Sequence, residues 1–235
     1  MSRLLSVAAL QTQYGLDMAD NIARTGDLIR QAAAVGARVI LPSELFQGPY
    51  FCISQEERWF ATAHPWRTHP CVQALAPLAA ELGVVLPLSI FEREGPHYFN
   101  SLVMIDADGA LMGADVLLYP TAIGSEPHDP RLDTALPWRR AMQGHAVSNI
   151  IPVVGANRTG FEPWERYPGG GQRFYGSSFI ADHRGDLVGD LGPDDEGVTT
   201  ATFDLDFLDR HRAAWGFFRD RRPDLYGALA GPRPA

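Results

Sequence analysis

Gly36-Ala37-Arg38-Val39-Ile40-Leu41-Pro42-Ser43, residues 36–43, reads as a helix stop, a short buried strand and a proline that closes the strand. The order returns at Gly113-Ala114-Asp115-Val116-Leu117-Leu118-Tyr119-Pro120. At this length a chance match and a structural repeat are both open. Loops that leave the carboxyl ends of buried strands are where open α/β sheets place their sites. Glu44 and the residues after Pro120 occupy that position.

Reading outward from residue 36, Leu4 to Leu10 forms an apolar run suited to a first strand. Asp20 precedes a helical pattern (Ile22, Leu28, Ile29, Ala32) that Gly36 ends. Helical patterns follow at 56–63 and 71–82, then strands at 84–91 and 98–105, the latter running into the turn Asp106-Ala107-Asp108-Gly109. Beyond residue 116 the pattern gives a strand at 116–119, a helix at 137–149, and strands at 151–156, 174–181 and 199–203. The turn Asp182-His183-Arg184-Gly185 leads to a short strand at 187–188. Asp204 caps a last helix to about Trp215, followed by a Pro-rich tail. Alternating strands and helices followed by more strand-rich sequence predict an α/β sandwich in a single domain over 1–235.

Of 235 residues, 46% are hydrophobic, enough for one sizeable core. All 20 basic residues are Arg, so chemistry that needs a lysine amine is excluded. The net charge of −8 disfavours a nucleic-acid surface. Two cysteines cannot build a disulfide framework or a four-cysteine zinc site, and the seven histidines show no compact ligand spacing, so no metal is expected. The apolar run at the N-terminus is too short for a signal peptide and no spanning segment follows, so a soluble, cytoplasmic protein without membrane association is expected.

Glu44, at a strand exit, can be desolvated into a usable general base, although position alone favours a capping or loop-pairing glutamate. Cys52, among Pro49, Tyr50 and Phe51, reads as an inert buried thiol; Cys71, at a helix start, reads as structural. Gly169-Gly170-Gly171 reads as a flexible turn, and Ser177-Ser178 falls inside a strand pattern rather than a nucleophile elbow. Trp215 to Pro223, aromatic and Arg-rich, suits a tail docked at a subunit interface or folded on its own subunit.

Several segments together resemble the nitrilase (carbon–nitrogen hydrolase) superfamily and, within it, the N-carbamoylputrescine amidases. They are Val7-Ala8-Ala9-Leu10-Gln11, Leu41-Pro42-Ser43-Glu44-Leu45-Phe46, Pro49-Tyr50-Phe51-Cys52, Phe99-Asn100-Ser101-Leu102 and the string from Leu118 to Pro127. Met142 to Ala146, Phe174 to Asp182 and the tail from Trp215 to Pro223 complete the set. The resemblance implies a four-layer αββα sandwich that assembles into homo-oligomers, with no cofactor. It also implies a Glu–Lys–Cys triad in which the Glu takes the thiol proton and the Lys helps hold the oxyanion.

Glu44 matches the Glu. The Lys and the Cys have no match, because roughly sixty family residues are absent, with a junction near Gly113. Neither Cys52 nor Cys71 stands in, since both precede the missing part. The fold is therefore expected to lack central elements, with exposed sheet edges and poor stability or altered assembly. By resemblance the intact reaction hydrolyses N-carbamoylputrescine to putrescine, ammonia and CO2, a step of polyamine biosynthesis. Ser125 and Glu126 are the expected substrate contacts, and a plain polar loop is the competing reading. The chain as written is expected to be inactive. The alternative is a non-catalytic scaffold or dimerisation partner of the same fold, with the 216–235 tail at a subunit interface.

Overall fold

The first strand, β1 (Leu4–Gln11), shows how the layers form. Its side chains alternate: Val7 and Ala9 face one packed layer, Ala8 and Leu10 another. Ala8 and Leu10 lie beneath two helices, α1 (Met18–Ala34) and α2 (Pro70–Leu82), together with Leu28, Ile29, Leu75 and Leu78. The computed structural model describes residues 3–52, 56–106, 115–126, 129, 131–163 and 170–215. The Asp108-Gly109 turn, the junction at Gly113, Pro127, Gly169 and the 216–235 tail lie outside them.

β1 pairs in parallel with β2 (Val39–Leu41) and antiparallel with β11 (Gly197–Asp204), the last strand among the described residues. Beside β2 a bridge from Val39 to Val85 leads into the hairpin β3 (Leu86–Glu94) and β4 (His97–Ile105). The first sheet thus runs β11-β1-β2, continued by β3-β4.

A second sheet has the order β10-β9-β6-β5, built from β5 (Leu117–Pro120), β6 (Val153–Ala156), β9 (Phe179–Ala181) and β10 (Leu187–Asp190). Its inner residues Val154, Ala156 and Ile180 pack on Val7, Ala9 and Leu41 of the first sheet. On its outer face α3 (Ala135–Asn149) sets Trp138 and Ala146 against Val153 and Phe179. The order of layers is helix, sheet, sheet, helix: the four-layer αββα sandwich.

The echo between residues 36–43 and 113–120 has a structural counterpart. β2 runs parallel to β1, β5 runs parallel to β6, and the loops that leave them meet where the Glu44 amide donates to the Thr121 carbonyl at 3.3 Å.

Two expectations need correction. α1 starts before Asp20, at Met18, because Asp17 is the cap: its extended backbone lets the carboxylate accept from the Asp20 amide at 2.9 Å. The strand expected over 174–181 is two strands in different sheets. β8 (Gly171–Tyr175) pairs with β7 (Thr159–Pro163), a strand the sequence pattern did not reveal, and β9 joins the second sheet. Gly176 and Ser177, at φ 53° and 56°, make the break. A side chain on Gly176 would stand 2.1 Å from the Pro193 carbonyl oxygen, so the crossing needs glycine. Ser177 therefore lies at a turn rather than within a strand. The expected cap at Asp204 is present: its carboxylate accepts from the Phe207 amide at the start of α4 (Leu205–Trp215).

Candidate active site

Glu44 follows β2, with the buried Ser43 before it and Leu45 after it at φ 47°, a left-handed conformation that costs a branched residue of order 1 kcal/mol. Polar contacts from two residues, Ser89 and Arg158, hold that strain. The Ser89 hydroxyl on β3 accepts the Leu45 amide at 3.2 Å. The Arg158 guanidinium donates to the carbonyls of Glu44 (2.9 Å), Leu45 (2.5 Å) and Gly48 (2.9 Å). Arg158 is fully buried, pairs with Glu162 at 2.7 Å and lies over the rings of Tyr14, Tyr50 and Phe174. The other carboxylate oxygen of Glu162 accepts the Tyr50 amide at 2.6 Å. An Arg with every branch of its fork engaged fixes the loop; it has no donor aimed at a reacting atom.

The Glu44 carboxylate is not among the acceptors that Arg158 bonds. Oε1 accepts from the Asn100 side-chain amide on β4 at 2.6 Å, and the Ser89 hydroxyl steadies Asn100 at 3.1 Å. Burial raises the carboxyl pKa above its ordinary value. The bonds from Asn100 and the Ala122 amide, and the Arg158 charge, pull it partly back. A half-buried carboxylate with a raised pKa, oriented by an amide, is the equipment of a general base.

No thiol is poised to use it. Cys71 is fully buried and its pKa is pushed up to about 12 by desolvation, which bears out the structural reading. Cys52 corrects the expectation: the residue is exposed rather than buried, and it sits close enough to Glu44 and Arg158 to feel both charges. Local desolvation and then the Glu44 carboxylate raise its pKa, its polar side-chain partner is Tyr50, and the Arg158 charge is already committed. The thiol therefore stays protonated and weakly nucleophilic.

Ser125 is tied to β8. Its amide donates to the Arg173 carbonyl at 2.8 Å, and its hydroxyl accepts the Arg173 amide at 3.2 Å. Glu126 follows it, partly exposed. Neither is brought into a described contact with Glu44. Asn100 and Arg158 are the site residues that sequence reasoning missed: the segment Phe99 to Leu102 marked a resemblance without assigning Asn100 a role, and residues 157–160 drew no attention. Among the described residues, no group of three or more His, Cys, Asp or Glu could hold a metal ion, and no helix is long and apolar enough to cross a membrane.

A family model described as carbon–nitrogen hydrolase matches residues 6–114 and, separately, 110–213. An N-carbamoylputrescine amidase from Arabidopsis thaliana is 39% identical over 285 positions, covering 97% of this chain and 95% of the relative. A citrullinase from Francisella tularensis is 35% identical over 96% of this chain and 98% of its own length. The crystal structure of a carbon–nitrogen hydrolase from Helicobacter pylori superposes with a TM-score of 0.86 at 24% identity, covering 97% of this chain and 99% of that one; it supports the fold. A chain of 235 residues cannot fill 285 aligned positions. The difference means that at least 50 positions of the Arabidopsis protein have no counterpart here. The two family matches meet at residues 110–114, around Gly113.

Proposed function

Because this chain belongs to the carbon–nitrogen hydrolase family, we infer that it is an N-carbamoylputrescine amidase by lineage that keeps the proton acceptor of that reaction and lacks the nucleophile. The observation that carries this reading is the Glu44 carboxylate, raised in pKa, held by Asn100, and with no hydrogen-bonded thiol among the described residues. In hydrolysis of a carbamoylated amine, a thiolate attacks the carbamoyl carbon and a base takes the thiol proton. A cation then holds the oxyanion, and the base goes on to activate water. Glu44 supplies the base. The chain has no Lys for the oxyanion, and losing such a donor costs roughly 3–4 kcal/mol of barrier.

The relatives' names, N-carbamoylputrescine amidase and citrullinase, share a terminal carbamoyl group on an amine, and that is the substrate class we assign. Ser125 and Glu126, on the loop after β5, are our substrate-side residues, with the Glu126 carboxylate suited to an alkylammonium end. We place the protein in the cytoplasm, in polyamine biosynthesis, as a single domain and homo-oligomer without a cofactor, the 216–235 tail lying at a subunit interface.

Ammonia release from N-carbamoylputrescine and from citrulline, measured beside Glu44→Gln, tests the reading. Release at background in both proteins is the expected result; turnover that Glu44→Gln abolishes would overturn the inactivity. The scaffold alternative is favoured by the exposed apolar residues Leu102 and Met104 on β4. It would fail if light scattering finds a strict monomer.

A further inference from the structure

The two sheets differ in width. β10 and β9 lie against β11, and β6 lies against β1 and β2, so the packing between sheets is concentrated on that side. The first sheet continues through β3 and β4, about 10 Å further at ordinary strand spacing. On β4, Val103 and Ile105 turn to the helix layer, while the alternate positions Asn100, Leu102 and Met104 turn inward, toward the space beside the second sheet. Asn100 meets Glu44 there. Leu102 is 49% exposed and Met104 55%, inner-face apolar residues with little above them.

Among the described residues the second sheet ends at β5. All four residues of β5 are only half-buried, whereas all four of its neighbour β6 are buried, and among the described residues β5 pairs with β6 alone. Thr121, which follows β5, accepts the Glu44 amide, and Asn100 of β4 donates to the Glu44 carboxylate, so the open edge of β5 and the bare face of β4 border the same space with Glu44 at its end.

The comparisons put additional chain of the relatives between these two strands. At least 50 positions of the Arabidopsis protein have no counterpart in this chain, and the family matches meet at 110–114, between β4 and β5. A segment inserted there starts after Asp106, at the end of β4, and ends before Leu117, at the start of β5. We propose that the inner face of β4 and the outer edge of β5 form a docking cleft for a strand-bearing segment supplied in trans by another carbon–nitrogen hydrolase chain. The segment extends the second sheet from β5 and covers Leu102 and Met104. Main-chain bonds along β5 give register, and apolar side chains over β4 give the hydrophobic gain. Resting on the function proposed above, the same event brings a nucleophile-bearing segment up to Glu44.

The test uses the full chain and, as a separate soluble fusion, the stretch of the Arabidopsis relative that aligns with no residue here. The expected result is a 1:1 complex by size exclusion with light scattering. Protection of 97–105 and 117–120 from hydrogen exchange should accompany it, and the double variant Leu102→Asp, Met104→Asp should bind at least tenfold more weakly. Should that variant fail to fold, the exchange pattern of the unmodified chain decides alone. Ammonia release by the complex that Glu44→Gln abolishes would support both proposals; a complex with the expected protection and no ammonia release keeps the docking cleft and removes the hydrolase reading. No association between soluble partners, or association that leaves 97–105 and 117–120 unprotected, overturns the proposal. A homodimer broken by Leu102→Asp that refuses the segment does so too, since a second copy would then be the occupant.

Discussion

At Glu44 the desolvating walls and the Asn100 amide pull in opposite directions, and the walls prevail: the folded pKa lies above the ordinary 4.5. A native carboxyl that holds its proton more tightly than the unfolded chain contributes stability below the unfolded pKa. That contribution is lost as pH rises through the folded pKa. Glu44→Gln should therefore raise the Tm by a few degrees at pH 7.5, with the gain shrinking towards pH 4; scanning calorimetry at both ends checks it. Arg158 is the opposite case, a buried charge whose partners are all in place. Arg158→Met strands the Glu162 carboxylate and the carbonyls at 44, 45 and 48, a loss of about 3–5 kcal/mol, or on the order of 10 °C in Tm. Arg158→Lys should recover only part of this, because an ammonium cannot reach that fork of acceptors.

At the scale of single elements, α2 begins with an unusual cap. The His69 ring accepts the Cys71 amide through Nδ1 at 3.2 Å, and the residue is fully buried beside His64. Desolvation, then the nearby His64, lower its pKa to about 4. The unfolded chain takes up this proton near pH 6.5 and the native chain near 4, so stability is full above 6.5 and drains as pH falls through that window. The loss amounts to about 3 kcal/mol at most. Urea unfolding at pH 7.5, 6 and 5 should show the decline, and His69→Asn, which keeps a capping acceptor, should flatten it. The element boundaries carry a related lesson. β1, β2, β4 and α2 are legible because their apolar period matches their geometry. The break at Gly176-Ser177 is not, because an apolar run on both sides hides a change of sheet that only positive φ values reveal.

For the whole molecule, burial separates the two thiols. Cys52 is exposed and Cys71 is fully buried with a pKa near 12, so a thiol reagent should titrate one equivalent in native protein and a second only on unfolding. Because α2 packs directly on the first sheet, labelling of Cys71 should track global unfolding; fast labelling of both thiols in the native protein would contradict this packing. The uneven sheets bear on the same measurement. With β5 half-buried and β4 bare on its inner side, opening is expected to begin at that flank, and hydrogen exchange there should outpace exchange in β1 and β6.

The sequence by itself determined that this is an α/β sandwich with a carboxylate at the exit of β2, because strand period, helix period and proline punctuation are local properties. It also determined that no lysine is available, a matter of composition. The surroundings of Glu44 were decided by tertiary structure alone. Asn100 lies 56 residues away and Arg158 lies 114 residues away, on strands or loops of different hairpins and sheets. A period of two says which face a side chain takes, but not which strand will lie opposite it. That pairing, and with it the shift of the Glu44 proton affinity and the bare flank beside it, comes from how the two sheets close on one another.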